Sequence, residues 1–543
     1  MELIHFELAL LILNIKKIVY NCINNYVYGD YMAITENERL SLPIWKRLLL
    51  HLITLIILAA QIAIIYFMVL GVIESNKGLN FIYFIVEGVA LLQVIYVLYK
   101  PMNINYKLTW CVCILIIPLP SMLLYYFNST SRRLSKRKKK KIHNNIIKMA
   151  DNTEIEKIDD VTAINLVNVV AKQTYAPVYG NSKFTFFSDC YDKFLDMLEE
   201  MKKAEKCIYM EYFILSPGYL MDKVYDVLLD RGYRGVEIKI IYDDVGSKGR
   251  LHRRLIKRLA KIPNCKIYNF EPLGMNFNML VNYRDHRKIL VIDNKIAYCG
   301  GDNMADEYIH KKERFGYWRD NCGKYEGEIV NSFSVIFSEM WYTSTKERLE
   351  IPKVEYKRFE NQGYIMAFGD GPLYDNNPSY DLFKSLILSA KNKIYISTPY
   401  FIIDDSMIEL IALKAKSGVE VNILMPHIPD KKAPFYMGRA NYRDILKAGG
   451  NIYEMTRGFN HAKNIIIDDK YAFIGTVNMD YRSLFLHYEC GALIINSTEI
   501  LKMSDDYEKE IGNSLKITYE MWKKRSLFQK ITSIVLNIFS PLF

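Results

Sequence analysis

The chain from about Val161 onward repeats one pattern of apolar and polar positions. Short β-branched runs alternate with amphipathic segments there, which is typical of α/β domains. In the first copy a predicted helix, Ser188 to Lys206, precedes predicted strands at Cys207 to Leu215 and Val236 to Gly246. Because helix and strands come in the same order in both halves, we predict an internal duplication. The second copy has its helix at Pro378 to Lys393 and its strands at Ile394 to Ile402 and Val419 to Pro426.

The first part of the chain is apolar in long runs. Leu48 to Ile73 and Leu108 to Phe127 contain no Asp, Glu, Lys or Arg, and each is long enough to cross a hydrocarbon core of about 30 Å. Leu79 to Tyr99 is apolar except for Glu87. We therefore predict two membrane-spanning helices, the second one kinked by its two prolines, and a third span at Leu79 to Tyr99.

Lysine and arginine placement gives the orientation of this region. The chain carries a net charge of +11, and eight of the ten residues from Arg132 to Lys141 are Lys or Arg. Such a block attracts anionic lipid headgroups, although a solvated linker is the alternative. By the positive-inside rule the basic block places the segment that follows it in the cytoplasm. Three spans would leave Lys46 and Arg47 outside, so either one segment is re-entrant or Met1 to Asn14 is membrane-associated. Because the positive charge is concentrated in one block, no nucleic-acid partner is expected.

Composition excludes several other classes of protein. Of 543 residues, 50% are hydrophobic and 24% are charged, which excludes a disordered or fibrous chain. The nine cysteines form no CxxC pair, so neither a disulfide framework nor a zinc site is expected. We therefore predict a functional site that uses neither a metal ion nor a cofactor.

The strongest chemical signal is a pair of H-x-K-x4-D blocks at equivalent places in the two copies. Residues two apart in a strand point to the same face, so each histidine projects with its lysine. Two such blocks in a duplicated unit rarely arise by chance, which makes them the predicted catalytic residues. They are His286, Lys288 and Asp293 in the first copy, and His461, Lys463 and Asp468 in the second.

Each block is followed by glycine and asparagine. We predict that the glycines form turns whose N–H groups approach an anion, and that each asparagine amide holds a histidine tautomer or a phosphoryl oxygen. The alternative is that the glycines only form tight turns. These residues are Gly300, Gly301 and Asn303 in the first copy, and Gly475, Thr476 and Asn478 in the second. His427 and His487 have no assigned role and are expected on the surface or in the core.

The chemistry that fits two imidazoles and two lysines is phosphoryl transfer by double displacement. One imidazole attacks phosphorus, and the other protonates the leaving alkoxide and then deprotonates the incoming hydroxyl. The two lysines neutralise the non-bridging oxygens, which in other enzymes is done by magnesium.

The motifs resemble those of the phospholipase D superfamily and, within it, the bacterial cardiolipin synthases. The two blocks carry the wider likeness. The narrower one is carried by YDDVGS at Tyr242, GGDNMADEY at Gly300, STPYF at Ser397, GTVNMDYRSLFLHYE at Gly475 and the terminal IFSPLF. The resemblance implies two tandem phospholipase D-like domains of mixed β-sheet flanked by helices, related by a pseudo-twofold axis and preceded by a transmembrane helical region.

The resemblance also implies an activity. One phosphatidylglycerol forms a phosphatidyl-histidine and releases glycerol, and a second phosphatidylglycerol takes the phosphatidyl group. By analogy His286 is the nucleophile and His461 the general acid and base, an assignment that spacing cannot make. Glu489 supports a block histidine, and Asp320 is its counterpart from the first copy, although Asn321 stands where the family usually has Thr. Thr476 replaces the usual Ser and keeps its hydroxyl.

Motifs do not separate transfer from hydrolysis, because pocket shape and water exclusion choose the acceptor. The alternatives are a phospholipase D-type hydrolase, a nuclease, a transferase with another alcohol, or a degenerate scaffold that binds anionic lipid. The expected location is the cell membrane, multi-pass, with cytoplasmic catalytic domains; the oligomeric state stays open. The predicted units are an extension (1–46), the transmembrane region (47–128), a basic linker (129–160), the first and second domains (161–350 and 351–525) and a C-terminal amphipathic helix (526–543).

Overall fold

The structure is a computed structural model that describes residues 77–100, 103–129, 158–247, 253–270, 283–360 and 362–542. Three segments named above, Met1 to Asn14, Leu48 to Ile73 and Arg132 to Lys141, lie outside the described residues.

Three helices come first in the described chain: α1 (Lys77–Tyr99), α2 (Ile104–Ile116) and α3 (Pro118–Ser129). The predicted kinked span at Leu108 to Phe127 is instead two helices, because Pro118 has no N–H to continue the helical hydrogen bonds. In the part of the chain that the structure describes, no helix combines the length and the apolar character needed to cross a membrane.

The first half of the catalytic region forms a seven-stranded sheet with the order β1-β8-β6-β5-β2-β3-β4. A helix, α4 (Val161–Thr174), precedes it. The strands are β1 (Ser182–Phe187), β2 (Cys207–Tyr212), β3 (Glu237–Asp243), β4 (Cys265–Phe270), β5 (Lys288–Ile292), β6 (Ile296–Gly300), the separate β7 (Tyr317–Arg319) and β8 (Cys322–Gly327). The helices are α5 (Cys190–Lys202), α6 (Tyr219–Tyr233), α7 (Asp244–Ser247), α8 (Arg253–Leu259) and α9 (Ile329–Thr345).

The second half forms an eight-stranded sheet with the order β19-β13-β12-β10-β15-β16-β18-β9. Its strands are β9 (Tyr364–Asp370), β10 (Lys393–Ser397), β12 (Glu420–Pro426), β13 (Asn451–Met455), β15 (Asn464–Ile467), β16 (Tyr471–Gly475), β18 (Glu489–Ile495) and β19 (Leu515–Ile517), and three short strands lie outside it, β11 (Phe401–Ile402), β14 (Gly458–Asn460) and β17 (Met479–Asp480). The helices are α10 (Pro378–Ser389), α11 (Asp405–Lys416), α12 (Lys432–Ala440), α13 (Tyr442–Lys447), α14 (Tyr481–Phe485), α15 (Glu499–Gly512), α16 (Tyr519–Lys523) and α17 (Leu527–Ile538).

The two sheets have the same construction. In each, three parallel strands (β2, β3, β4 and β10, β12, β13) adjoin an antiparallel hairpin (β5, β6 and β15, β16), and two further antiparallel strands follow. The second sheet adds β19 at its edge. The predicted mixed α/β architecture with two sheets is therefore confirmed.

One core cluster draws side chains from both sheets. Cys299 and Cys490 bring their sulfur atoms within 3.6 Å of each other in this cluster, and α9 contributes Phe333 and Trp341 to it. Outer helices cover the other face of each sheet. The helix α4, placed in the first domain by its sequence position, packs instead with α10 in the core of the second half.

Two short parallel pairings join the halves. Strand β7 of the first half pairs with β14 of the second, and Asp285 forms an isolated bridge with Tyr488. Each pairing lies directly before one of the predicted catalytic histidines, so the same backbone contacts that join the halves also position the site.

Candidate active site

His286 of the first half is held by a carboxylate of the second half. The His286 Nδ1 atom lies 2.8 Å from Glu489 Oε1 and 3.0 Å from Oε2. Glu489 is the first residue of β18 and is fully buried, and the Thr476 hydroxyl donates a hydrogen bond to it. An Nδ1–H donated to this carboxylate leaves Nε2 with a free lone pair, which is what a nucleophile needs.

His461 of the second half is held reciprocally by the first half. Its Nδ1 atom lies 2.5 Å from Asp320 Oδ2, and Asp320 is 1% exposed. The sequence proposed Asp320 as the counterpart of Glu489, and the structure places the two carboxylates in equivalent positions. Each histidine is thus oriented by an acid that the other repeat supplies.

The backbone makes the same exchange. The N–H of His286 donates to the carbonyl of Tyr488 at 2.9 Å, and the N–H of His461 donates to the carbonyl of Arg319 at 2.7 Å. In each case the accepting residue directly precedes the acid that holds the ring. In each half one short backbone pairing therefore fixes both the position of the histidine and the position of the carboxylate that holds its ring.

The two lysines lie on the histidine face of their strands, as the period of two predicts. Lys288 and Lys463 are each 1% exposed, and the Lys288 Nζ donates to the carbonyl of His286 at 2.5 Å. The Lys463 Nζ contacts the carbonyl of His461 and lies 3.0 Å from its Nδ1. Burial lowers the pKa of both ammonium groups, that of Lys463 to about 8.

Burial also keeps the imidazoles neutral. It lowers the pKa of His286 and that of His461 well below the usual value, and the adjacent lysine reinforces the shift in each case. Lys463 and His461 also act on His286, and Lys288 acts on His461, so all four groups share one electrostatic environment. The buried carboxyls shift the other way: burial raises the pKa of Asp320 to about 6 and that of Glu489 well above its usual value.

Aromatic rings hold the imidazoles from the side. Phe213 meets His286 edge-on with ring centroids 4.9 Å apart. Tyr308, Trp318 and Phe459 surround His461 at centroid distances of 5.6, 5.4 and 5.8 Å. This packing limits ring rotation and keeps water from the imidazole faces.

Asp293 and Asp468, predicted as catalytic residues, do not contact the histidines or lysines. Each lies in the hairpin turn at the far end of the strand that begins beside its histidine. The Asp293 carboxylate accepts the N–H groups of Glu205, Lys206 and Cys207 at 2.7–2.8 Å. Asp468 accepts those of Lys391, Asn392 and Lys393 at 2.8 Å. The structure therefore places both carboxylates away from the histidines and lysines, where they accept the N–H groups at the start of the neighbouring parallel strand.

The Asp293→Ala variant tests this reassignment. Three N–H groups, of which that of Cys207 is buried, lose a charged acceptor, so we expect the free energy of unfolding to fall by about 3 kcal/mol. Turnover by the folded enzyme should stay unchanged. Thermal unfolding and activity below the melting temperature measure the two effects. The matched control is Asp230→Ala, since Asp230 forms exposed pairs with Arg231 and Arg234 and little stability should be lost. A stable but inactive Asp293→Ala protein would restore the catalytic assignment.

Gly300 and Gly475 end strands rather than forming the predicted turns. A Cβ atom on Gly300 would lie 2.5 Å from the carbonyl oxygen of Asn321, the residue before β8, and one on Gly475 would lie 2.5 Å from that of Cys490 on β18. At the next position the halves differ: a Cβ on Gly301 would lie 2.1 Å from Asp320 Oδ1. The absence of a side chain at Gly300 and Gly475 therefore allows neighbouring backbone to approach closely. At Gly301 it leaves room for the carboxylate of Asp320, which holds His461.

The two asparagines do not hold the histidine tautomers, because the carboxylates do. Asn303 accepts the N–H of Ile214 at 3.0 Å and donates to the Tyr308 hydroxyl at 2.7 Å. The buried Asn478 amide oxygen has no hydrogen-bond partner among the residues the structure describes. A contact of either amide with a phosphoryl oxygen stays a prediction.

Two residues of this region have no role that the sequence predicts. Arg287 lies on the opposite face from His286, fully buried, where its guanidinium donates to the carbonyls of Glu489 at 3.1 Å and Ile336 at 2.9 Å. His487 lies against His286 with ring centroids 5.6 Å apart. Its position two residues before Glu489 is the only signal in the sequence.

The described residues include one group with metal-ligand spacing: His286, His487 and Glu489, whose ligand atoms lie within 4.8 Å of one another. Lys288 acts electrostatically on all three residues. The Glu489 carboxylate is also already bound by the His286 ring and the Thr476 hydroxyl. A buried ammonium opposes a divalent cation, so this set does not fit a resident metal.

Comparison with known proteins gives a family. Residues 197–341 and 383–513 match the family model described as cardiolipin synthase, PLD-like domain. A cardiolipin synthase of Alkalihalophilus pseudofirmus is 33% identical over 372 residues, which cover 67% of this chain and 73% of that protein. An uncharacterized protein of Streptococcus mutans is 35% identical over 458 residues, 83% of this chain and 99% of that protein.

Among solved structures, phosphatidylserine synthase of Haemophilus influenzae is similar with a TM-score of 0.53 at 16% identity, covering 70% of this chain and 98% of that one. At this identity the likeness concerns the fold alone.

Proposed function

The chain belongs to the cardiolipin synthase family with its phospholipase D-like domain, and we propose that it joins two phosphatidylglycerol molecules into cardiolipin and releases glycerol. The observation that carries the proposal is the reciprocal pairing of His286 with Glu489 and of His461 with Asp320. It gives one phosphodiester two oriented imidazoles and two buried lysines.

In the first step the His286 Nε2 lone pair attacks phosphorus and the bond to the glycerol oxygen breaks. The buried lysines stabilise the charge that develops on the non-bridging oxygens. When the phosphodiester binds, its negative charge opposes the effects of burial and of the lysines that lower the pKa of His461, and the Nε2 of this ring takes up a proton from solvent. His461 then gives that proton to the departing glycerol oxygen.

In the second step the acceptor hydroxyl attacks phosphorus and the bond to His286 breaks. His461 takes the proton of that hydroxyl, which replaces the proton lost in the first step. Glu489 stabilises the positive charge that the substituted His286 ring carries between the two steps.

Transfer and hydrolysis are separated by the products. Purified protein in detergent, with labelled phosphatidylglycerol and a chelator of divalent metals, should form cardiolipin and glycerol in equal amounts. Phosphatidic acid alone would indicate a hydrolase, and a product with another alcohol would indicate a different acceptor. No turnover would indicate a scaffold that binds anionic lipid without catalysis.

The pH dependence of turnover follows from two of the shifted groups. Below pH 6 Asp320, whose pKa burial raises to about 6, becomes protonated and no longer orients His461. Above pH 8 Lys463, whose pKa burial lowers to about 8, loses its charge. We expect turnover to be highest between these values and to fall on both sides, as a pH–rate profile will show.

Lys463→Arg is the informative variant in that profile. A guanidinium stays charged at every accessible pH, so the decrease in turnover above pH 8 should disappear while the decrease below pH 6 remains. An alkaline fall that stays near pH 8 in this variant would show that another group causes it.

We further propose that the catalytic halves rest on a membrane through an apolar surface. The surface is formed by α1, α2, α3 and α17, which expose large apolar side chains such as Phe84, Leu92, Phe528 and Ile534. Contacts tie it to the catalytic region: Asn105 donates to the Tyr481 hydroxyl at 2.7 Å, and the Ser533 hydroxyl of α17 donates to the carbonyl of Tyr436 at 2.9 Å. Multi-pass anchoring with cytoplasmic catalytic domains remains part of this proposal, supported by the basic block after the helices.

Charges on α17 test the surface. Phe528 and Ile534 are 71% and 67% exposed, and the double variant Phe528→Asp, Ile534→Asp should lower turnover on phosphatidylglycerol vesicles at least about ten-fold. Turnover in detergent micelles should not change. Leu413→Asp is the control, since Leu413 is 61% exposed on α11, outside the surface. Equal loss in micelles would show damage to the fold rather than to membrane contact.

A further inference from the structure

His487 is a largely buried imidazole whose ring has no hydrogen-bond partner among the described residues. It lies between α14 and β18, and its backbone N–H donates to the carbonyl of Arg482 at 2.8 Å. The side chain is 11% exposed, and its Nδ1 lies 3.8 Å from Glu489 Oε1, beyond hydrogen-bond distance. Neither ring nitrogen has a partner in the described part of the chain. Buried polar groups are rarely left so, which points to a ligand that supplies the missing contact.

The equivalent position in the first half is Trp318, two residues before Asp320. Its ring lies 5.4 Å from that of His461, as His487 lies 5.6 Å from His286. An indole can only donate a hydrogen bond, whereas a neutral imidazole donates through one nitrogen and accepts through the other. The pocket is therefore asymmetric, with the more versatile ring beside His286.

Positive charge is concentrated on the same side. After burial, the groups that lower the pKa of His487 are Arg482, Lys288, Arg284 and Lys431, so the ring is neutral among four cations. The acids on this side are Glu489, which binds His286, Asp480, whose carboxylate accepts the N–H of Ser483 at 2.8 Å, and Asp243, whose Oδ1 lies 3.6 Å from Arg284 Nη1. One phosphodiester is matched by the two buried lysines of the blocks. Arg482 and Lys431 add positive charge beside His487, which suits a second anion.

We propose that His487 and its neighbouring cations form the subsite for the headgroup of the acceptor lipid, a second phosphodiester that carries a free hydroxyl. The neutral ring accepts a hydrogen bond from a headgroup hydroxyl or donates one to a phosphodiester oxygen, and Arg482 and Lys431 attract the anionic charge. His487 is a positioning residue in this arrangement. The proposal rests on the proposed function, because only synthesis from two anionic lipids requires a second phosphodiester.

A competition between acceptors tests the subsite. Labelled phosphatidylglycerol is the donor, and unlabelled phosphatidylglycerol and ethanol compete as acceptors in one reaction. Ethanol has neither charge nor headgroup, so it does not use the subsite. In His487→Leu we expect the ratio of cardiolipin to phosphatidylethanol to fall at least about ten-fold, the effect of one lost buried hydrogen bond. His487→Asn keeps a donor and an acceptor and should restore most of the ratio.

Two more variants keep the test decisive. Lys431→Gln removes an exposed cation of the subsite without disturbing the core and should lower the same ratio. His427→Ala is the matched control, because His427 is a half-exposed histidine bound to Glu454, and its ratio should equal that of the unmodified protein. An unchanged ratio in both His487→Leu and Lys431→Gln would overturn the subsite. Loss of both products in parallel would also overturn it, since His487 would then act on His286 itself. No cardiolipin from the unmodified protein would overturn the proposed function and the subsite with it.

Discussion

Replacing either His286 or His461 with asparagine should lower cardiolipin formation by roughly 10⁴-fold, with the fold intact. Each imidazole has a separate task, attack on phosphorus or proton transfer, and neither task can be taken over by the other ring. An amide keeps the polarity of the position and can still contact Glu489 or Asp320. Radiolabelled phosphatidylglycerol measures the loss, and thermal unfolding confirms that the variants fold.

His310→Asn is the matched control for these two variants. His310 is a partly exposed histidine bound to Asp189, and it should keep full turnover. If either His286→Asn or His461→Asn kept a substantial part of its activity, the mechanism with two histidines would be excluded.

The second large effect concerns the crossed acids. Glu489→Gln and Asp320→Asn should each lower turnover by about 10²- to 10⁴-fold, because an amide cannot fix the histidine tautomer as a carboxylate does. Each substitution acts on the histidine of the other repeat. Initial rates over a range of substrate concentration measure the loss, which should appear in kcat rather than KM. Glu326→Gln is the control, since Glu326 forms a partly exposed pair with Lys183.

The pH profile separates the two acids. Asp320 accounts for the acid fall near pH 6, so the residual activity of Asp320→Asn should lose that fall, while that of Glu489→Gln should keep it. An acid fall that persists in Asp320→Asn would assign it to a different group.

Much of the fold followed from the sequence because its signals are local. Alternation of β-branched runs with amphipathic segments predicts α/β units, and repetition of one order predicts two sheets. The period of two placed Lys288 beside His286 and Lys463 beside His461 correctly. Each of these inferences depends on neighbours within a few residues.

The crossed pairs depend on contacts that no local pattern contains. Glu489 reaches His286 because Tyr488 bridges Asp285, and Asp320 reaches His461 because β7 pairs with β14. The resemblance implied that both acids support histidines, but the exchange between halves requires the register of strands far apart in the chain.

The errors have physical causes as well. The H-x-K-x4-D pattern joins residues at both ends of one strand, so it assigned the turn aspartates Asp293 and Asp468 to the chemistry. Both have positive φ, 55° and 52°, as do the residues that follow them, which is typical of a hairpin turn and favours Asp and Asn. The sequence predicts Gly300 and Gly475 as turn residues, whereas the close approach of neighbouring backbone explains both glycines. Pro118 separates two helices within Leu108 to Phe127 instead of bending one, and Pro120 lies in the first turn of the second helix.

The most direct measurement is capture of the covalent intermediate. His461→Asn is mixed with a phosphatidyl ester of nitrophenol, a leaving group that needs no protonation, and the reaction is quenched and mapped by peptide mass spectrometry. We expect a burst of one nitrophenolate per active site and a phosphatidyl group on His286, with neither seen in His286→Asn. A phosphatidyl group on any other residue, or a burst that His286→Asn retains, would contradict phosphatidyl transfer through this histidine.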